Sequence, residues 1–159
     1  MKNKIHKYDF LIVGAGLIGS IAALALVKKK FRVLVLDKEN TIPKDSRTLA
    51  VNANSIDFLR QLGIWNNLKS TPQPIDKIII KDEINKQPLI FENEHESMGN
   101  VVFNKEMYKL VRKNLLNLKI LKTNINFDTD SFMPNKTFFI DKKNYTFKKI
   151  IISTGKNII

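Results

Sequence analysis

The chain has 159 residues, no cysteine, 43% hydrophobic residues and a formal charge of +12. That apolar content supports a packed core at a length usual for one domain, which excludes an extended disordered chain. The absence of cysteine excludes a disulfide-stapled miniprotein and any thiolate metal or redox site, and His6 and His95 are too few for a His-rich one. The charge rests on 23 Lys and only 4 Arg, with the lysines scattered in short runs. Arginine is the side chain that reads phosphate and guanine in bidentate fashion, so no nucleic-acid partner is expected. The excess reads as a solvated surface with at most a weak attraction for anionic lipid headgroups.

Taken in order, Tyr8–Val13 is a short apolar run ended by glycine, as in a strand buried on both faces of a parallel sheet. Leu17–Lys29 follows as a helix rich in Ala and Leu, with lysines at its C-terminal end where they complement the dipole. The uncharged stretch from Phe10 to Val27 follows a basic start and touches the hydropathy threshold of a membrane span. Gly14, Gly16 and Gly19 interrupt it, however, and a strand followed by a buried helix gives the same hydropathy without spanning anything. Arg32–Leu36 is a second strand, completing a βαβ unit whose crossover is right-handed. Pro43 marks a loop. The spacing of Leu49, Ala53, Ile56 and Leu59 predicts a helix from about Thr48 to Leu62, with Gly63 closing it. Pro72 and Pro74 break the chain, Ile75–Ile80 and Pro88–Phe91 read as a pair of strands, and Val101–Phe103 as another. Asn104 caps a helix through about Leu116, and strands are expected at Leu118–Leu121, Thr137–Ile140 and Lys149–Ser153.

Gly14-Ala15-Gly16-Leu17-Ile18-Gly19 fits the pattern G-x-G-x-x-G between a buried strand and a helix, and Asp37 closes the next strand. Each part has a physical use. Gly14 makes the tight turn, Gly16 lets the backbone approach a pyrophosphate, and Gly19 lets helix and strand pack closely. The helix N-terminus offers oriented N–H groups and partial positive charge. Asp37 is placed to accept hydrogen bonds from an adenosine ribose. This points to a dinucleotide without choosing between FAD and NAD, so an NAD-binding Rossmann protein stays open on the motif alone.

Asp45-Ser-Arg-Thr-Leu-Ala50 and Asn54-Ser-Ile-Asp-Phe-Leu-Arg-Gln-Leu-Gly-Ile-Trp65 resemble the class A FAD-dependent monooxygenases, nearest the ubiquinone-biosynthesis hydroxylases. The resemblance implies an α/β, Rossmann-like FAD-binding domain with a central parallel sheet, incomplete, plus the first strands of a substrate domain. Residues 1–70 would be the FAD-binding βαβ unit with its following helix, 71–99 a strand pair opening the substrate domain, and 100–159 the return to the FAD-binding domain. It adds Lys38 to the cofactor-binding residues and makes Arg47 reach the FAD, with an ion pair to Asp45 or Asp57 as the competing assignment. Met98–Met107 resembles the segment returning to the FAD domain, which puts Asn100 near the diphosphate, although an ordinary loop or strand asparagine fits it as well. Leu118–Ile125 resembles the turn passing the adenine, with the backbone at Ile125 in contact.

The resemblance further implies NAD(P)H as co-substrate, O₂ as oxidant, and hydroxylation of a polyprenyl phenol. Its site would be cytoplasmic, peripheral to the inner membrane at most. Departures accompany it. Lys30 stands where the family places a glycine. Thr154 and Ile158 replace an acid and a serine, and a later Gly-Asp segment is absent. The expectation is therefore the N-terminal part of such an enzyme, truncated before the second FAD motif. It would work with a C-terminal half encoded downstream or be a non-catalytic remnant. No side chain is assigned as acid, base or nucleophile. The cluster Asp82, Glu83, Glu92, Glu94, His95 and Glu96 reads as an acidic solvated loop.

Overall fold

A computed structural model describes residues 4–42, 46–81, 87–93, 96–127 and 131–155. Its elements in chain order are β1 (Ile5–Val13), α1 (Leu17–Lys28), β2 (Val33–Leu36), β3 (Thr48–Asn52), α2 (Ala53–Gln61) and a short 3-10 turn at Trp65–Asn67. There follow β4 (Gln73–Pro74), β5 (Lys77–Ile80), β6 (Leu89–Glu92), β7 (Gly99–Phe103), α3 (Asn104–Asn117), β8 (Leu121–Lys122), β9 (Thr137–Ile140) and β10 (Lys143–Ile152). The chain divides into two compact units, Met1–Pro43 with Tyr108–Ile159, and Lys44–Met107.

The first unit is built on a five-stranded sheet of order β8-β2-β1-β10-β9. All neighbours are parallel except the β9–β10 pair at one edge. Side chains alternate across it. Leu11, Val13, Leu34, Leu36, Tyr145 and Phe147 face one way and form a core with Ile140, while Ile12, Val33 and Val35 are buried on the other face. With both faces covered, β2 is buried at every residue, which explains its unbroken apolar run. Each large apolar side chain so removed from water contributes about 2 kcal/mol.

Two expected strands are longer than the sequence showed, for one shared reason. β1 starts at Ile5 rather than Tyr8 and β10 at Lys143 rather than Lys149, because Ile5 to Tyr8 pair with Asn144 to Phe147. Polar residues in this half hide the pairing from hydropathy. β9 and β10 are joined through Asp141 (φ 48°) and Lys142 (φ 59°), both left-handed as a type I′ hairpin turn requires. β8 is shorter than the expected Leu118–Leu121. Its first residues close α3 instead, with Lys119 left-handed (φ 56°) and the Ile120 amide bonded to the Leu115 carbonyl at 3.2 Å.

The second unit holds the antiparallel sheet β3-β7-β4, α2 and the β5–β6 hairpin. Here the expected helix from Thr48 is corrected. Thr48–Asn52 is strand β3, paired along β7 from Thr48↔Phe103 to Asn52↔Gly99. The helix starts only at Ala53, where the Asn52 side chain accepts from the Ser55 amide at 2.8 Å and caps it. Gly63 ends it as expected, at φ 70°. Asn104, expected as a cap, is the first residue of α3. Ile64 and Trp65 of the Leu-Gly-Ile-Trp segment are buried, as are Ile56, Leu59, Val102 and Met107. Among the described residues, no helix is long and apolar enough to cross a membrane; Phe10–Val13 lies in β1 and Leu17–Val27 in α1.

Candidate cofactor site

β1, β2 and β10 are parallel and end in register, Val13 opposite both Leu36 and Ile152. The residues that follow these ends therefore gather at one edge of the sheet, where open α/β sheets bind ligands. From β1 comes the glycine loop, whose three glycines differ in what they require. Gly14 has φ +100°, and a Cβ there would be driven into the carbonyl of Ser153. A Cβ on Gly19 would collide with the Gly14 carbonyl and meet the Ser153 side chain at 3.2 Å. Both glycines are thus explained by the chain's own packing. Gly16 is not. It has ordinary extended geometry (φ −62°, ψ 179°), and nothing lies within 4 Å of a Cβ placed on it. It also begins α1 with no side-chain cap and no acidic residue in the first turn, so neither a capping side chain nor a local carboxylate answers the partial positive charge of that helix end.

Asp37, following β2, holds this loop in place. One carboxylate oxygen accepts from the Ala15 amide at 2.7 Å, the other from the Glu39 amide at 2.9 Å. Its own carbonyl accepts from the Ile125 amide at 3.1 Å. Loop, Asp37 and Ile125 are therefore brought together within the first unit. Ala15 is fully buried, Leu17 half-buried, and Ile18 exposed. The Lys38 ammonium sits 5.2 Å from the centre of the Phe127 ring.

Arg112 is a residue sequence reasoning missed. It is 3% exposed, and its guanidinium donates to the Glu39 carbonyl at 3.0 Å, to Asn40 Oδ1 at 3.3 Å and to the Tyr108 hydroxyl at 3.4 Å. It fastens the turn that carries Asp37. Burial pushes the Tyr108 hydroxyl above its ordinary value, with the Arg112 charge pulling the other way. The available signal was an arginine, rare in a lysine-rich chain, on the same helical face as Tyr108, Val111 and Leu115.

Arg47 and Asn100 belong to the second unit. Arg47 is exposed just before β3, and its carbonyl accepts from the Asn104 amide at 3.0 Å. Of its two competing partners, Asp57 pairs with Arg60 at 2.9 Å, and Asp45 lies outside the described residues. Asn100 is a half-buried residue of β7, opposite Val51 and Pro74. Within the acidic cluster, Glu92 pairs with Lys77 at 2.9 Å and Glu96 is exposed; Asp82, Glu83, Glu94 and His95 lie outside the described residues, as does Ile158. No group of metal-ligating side chains occurs among those described.

The first unit fits a dinucleotide. An anion can approach the backbone at Gly16 and the N-terminus of α1, because the position a Cβ would fill is open. The Asp37 oxygens keep acceptor capacity beyond their backbone partners. A sequence model of the FAD binding domain family matches residues 7–131. Ubiquinone biosynthesis monooxygenase COQ6 of Dictyostelium discoideum is 25% identical over 126 residues, covering 64% of this chain and 25% of that protein. Ubiquinone hydroxylase UbiL of Rhodospirillum rubrum is 35% identical over 79 residues, covering 46% of this chain and 18% of that protein. The chain thus spans a quarter or less of the length of these curated relatives. The crystal structure of CtdE in complex with FAD and substrate 4 has the same fold, with a TM-score of 0.67 at 20% identity over 93% of this chain and 38% of CtdE.

Proposed function

The chain belongs to the FAD binding domain family, with relatives among the FAD-dependent monooxygenases, and from that premise we propose that it forms the FAD-cradling part of an aromatic-ring hydroxylase. One observation carries this reading. Gly16 is a glycine the fold itself does not need, at the start of a helix with no side-chain cap, and a pyrophosphate resting on the backbone supplies the missing reason.

In this reading, Gly14 to Gly19, with Ala15, Leu17 and Ile18 between them, hold the FAD diphosphate. Asp37 accepts from the adenosine ribose, and Lys38 and the Ile125 backbone flank the adenosine. Arg47 and Asn100 are assigned to FAD on the family resemblance, Arg47 as reaching the cofactor and Asn100 near the diphosphate. FAD held there would supply the redox chemistry, with NAD(P)H as the reductant and O₂ as the oxidant and oxygen source; the chain's own residues bind and orient it. The relatives' names favour a polyprenyl-phenol precursor of ubiquinone as substrate, and a lipid substrate favours work at the cytoplasmic face of a membrane. Substrate, NAD(P)H and activity are proposed for the complete enzyme, since the match spans a quarter or less of these relatives.

Titration of FAD into the purified chain, followed by quenching of flavin fluorescence, tests the reading. Saturable quenching that excess NADH does not reverse is expected. Absence of quenching, or displacement by NADH at equal concentration, would overturn it.

A further inference from the structure

The cofactor residues follow the ends of the parallel strands, and the opposite side of the sheet, where those strands begin, has a pattern of its own. α1 and α3 both finish there, ahead of β2 and β8, which are neighbours paired Val35↔Leu121. The two endings share one geometry. Lys30 is left-handed (φ 68°), its amide donates to the Val27 carbonyl at 2.8 Å, and the Phe31 amide donates to the Leu26 carbonyl at 3.1 Å. Lys119 is left-handed (φ 56°), its amide donates to the Leu116 carbonyl at 2.9 Å, and the Ile120 amide donates to the Leu115 carbonyl at 3.2 Å. Each is a Schellman ending, whose left-handed residue is ordinarily glycine or asparagine. The chain follows that rule at Gly63, which closes α2 at φ 70°. Lysine at the other two endings costs stability that glycine would not.

Around these two lysines the surface carries cations and apolar side chains together. Lys28-Lys29-Lys30-Phe31-Arg32 is exposed throughout, as are Leu116, Leu118 and Lys119, and neither 28–32 nor 116–119 contains an acidic residue. A third left-handed lysine, Lys142 (φ 59°), opens β10 on the same side. The carboxylates of Asp9 and Asp141 are already paired, with Lys148 and Lys122 at 2.7 Å each. Nucleic acid would favour arginine, whereas lysine serves as well as arginine beside anionic headgroups, and exposed Phe and Leu side chains can enter the acyl boundary. We propose that this strand-entry side of the first unit docks on an anionic phospholipid surface. Lys30 and Lys119 meet the headgroups, and Phe31, Leu116 and Leu118 enter between them. The proposal stands apart from the FAD reading, since none of the cofactor residues takes part.

Co-sedimentation of the full chain with phosphatidylcholine vesicles, with and without phosphatidylserine, tests it. Wild type should bind the serine-containing vesicles, release from them in high salt, and leave pure phosphatidylcholine vesicles unbound. Lys30→Gly with Lys119→Gly should bind about thirtyfold more weakly. Its Tm should rise, because glycine suits both positions, so misfolding cannot mimic the loss. Lys30→Gln with Lys119→Gln must show the same loss should glycine loosen the helix ends. Leu116→Ser with Leu118→Ser should bind about tenfold more weakly. Lys69→Gln with Lys136→Gln, exposed lysines elsewhere, removes the same charge and should stay within about threefold of wild type. A wild-type chain that ignores phosphatidylserine would overturn the proposal. Equal losses in the Lys30/Lys119 and Lys69/Lys136 pairs would do the same, by reducing the attraction to net charge. Tighter binding of duplex DNA than of these vesicles, lost in the same glycine pair, would give the surface to nucleic acid and equally overturn it.

Discussion

Two stretches of nearly equal apolar character have opposite fates. Val33–Leu36 is buried at all four residues, whereas Lys77–Ile80 and Leu89–Glu92 are exposed along their whole length, Ile79 at 51% and Leu89 at 56%. β2 has β1 and β8 at its sides, α1 packed on it, and an aromatic cluster under its other face. Among the described residues no further strand pairs with the β5–β6 hairpin, and such a two-stranded pair is marginal in water. Apolar sequence therefore specifies a strand, while burial depends on whether the chain supplies both faces. The first unit supplies them and can hold a site rigidly at its strand ends.

The comparison breaks most visibly under core truncation. Phe147→Ala should cost about 3–5 kcal/mol in urea unfolding, while Ile79→Ser in the hairpin should stay within about 0.5 kcal/mol. Equal losses would mean the hairpin is as well supported as the sheet. Gly14→Ala tests the strand ends themselves, since the new methyl meets the Ser153 carbonyl at positive φ. A loss of about 3 kcal/mol in the same assay is expected. A smaller effect of opposite sign comes from Lys30, the left-handed residue (φ 68°) closing α1. Lys30→Gly should stabilise by about 1 kcal/mol, and a destabilised variant would contradict that geometry.

Smallest is the exposed link between Asp9 and Lys148 across β1 and β10, at 2.7 Å. The Lys148 ammonium and the Arg32 amide hold the Asp9 carboxyl below its ordinary value. A carboxyl lowered in the folded state stabilises above its unfolded value, and that stability disappears as pH falls through the lowered one. Lys148→Met should thus be less stable than wild type near neutrality and indistinguishable from it in strong acid. A gap that persists in acid would assign the loss to packing.

Much of this was legible in the sequence because it is local. The glycine loop between strand and helix, Gly63 as helix end and the strand Thr137–Ile140 need only neighbours to be read. What escaped depends on distant partners. β3 hid inside a helical spacing because Leu49 also fits a strand that pairs with β7. The polar first half of β10 becomes a strand only by lying along β1. Arg112 acquires its role from a carbonyl 73 residues earlier. The motif gives the three glycines different uses, and the packing separates them along the same line: a Cβ on Gly14 or Gly19 collides with the chain itself, whereas one on Gly16 meets nothing.

That distinction is the most direct route to the central claim. Gly16→Val, with no atom within 4 Å of the new Cβ and an extended backbone any residue adopts, should leave the Tm of the apo chain unchanged and abolish saturable FAD binding measured by fluorescence quenching. A Gly16→Val chain that binds FAD as wild type does would contradict the assignment of the glycine loop to the cofactor.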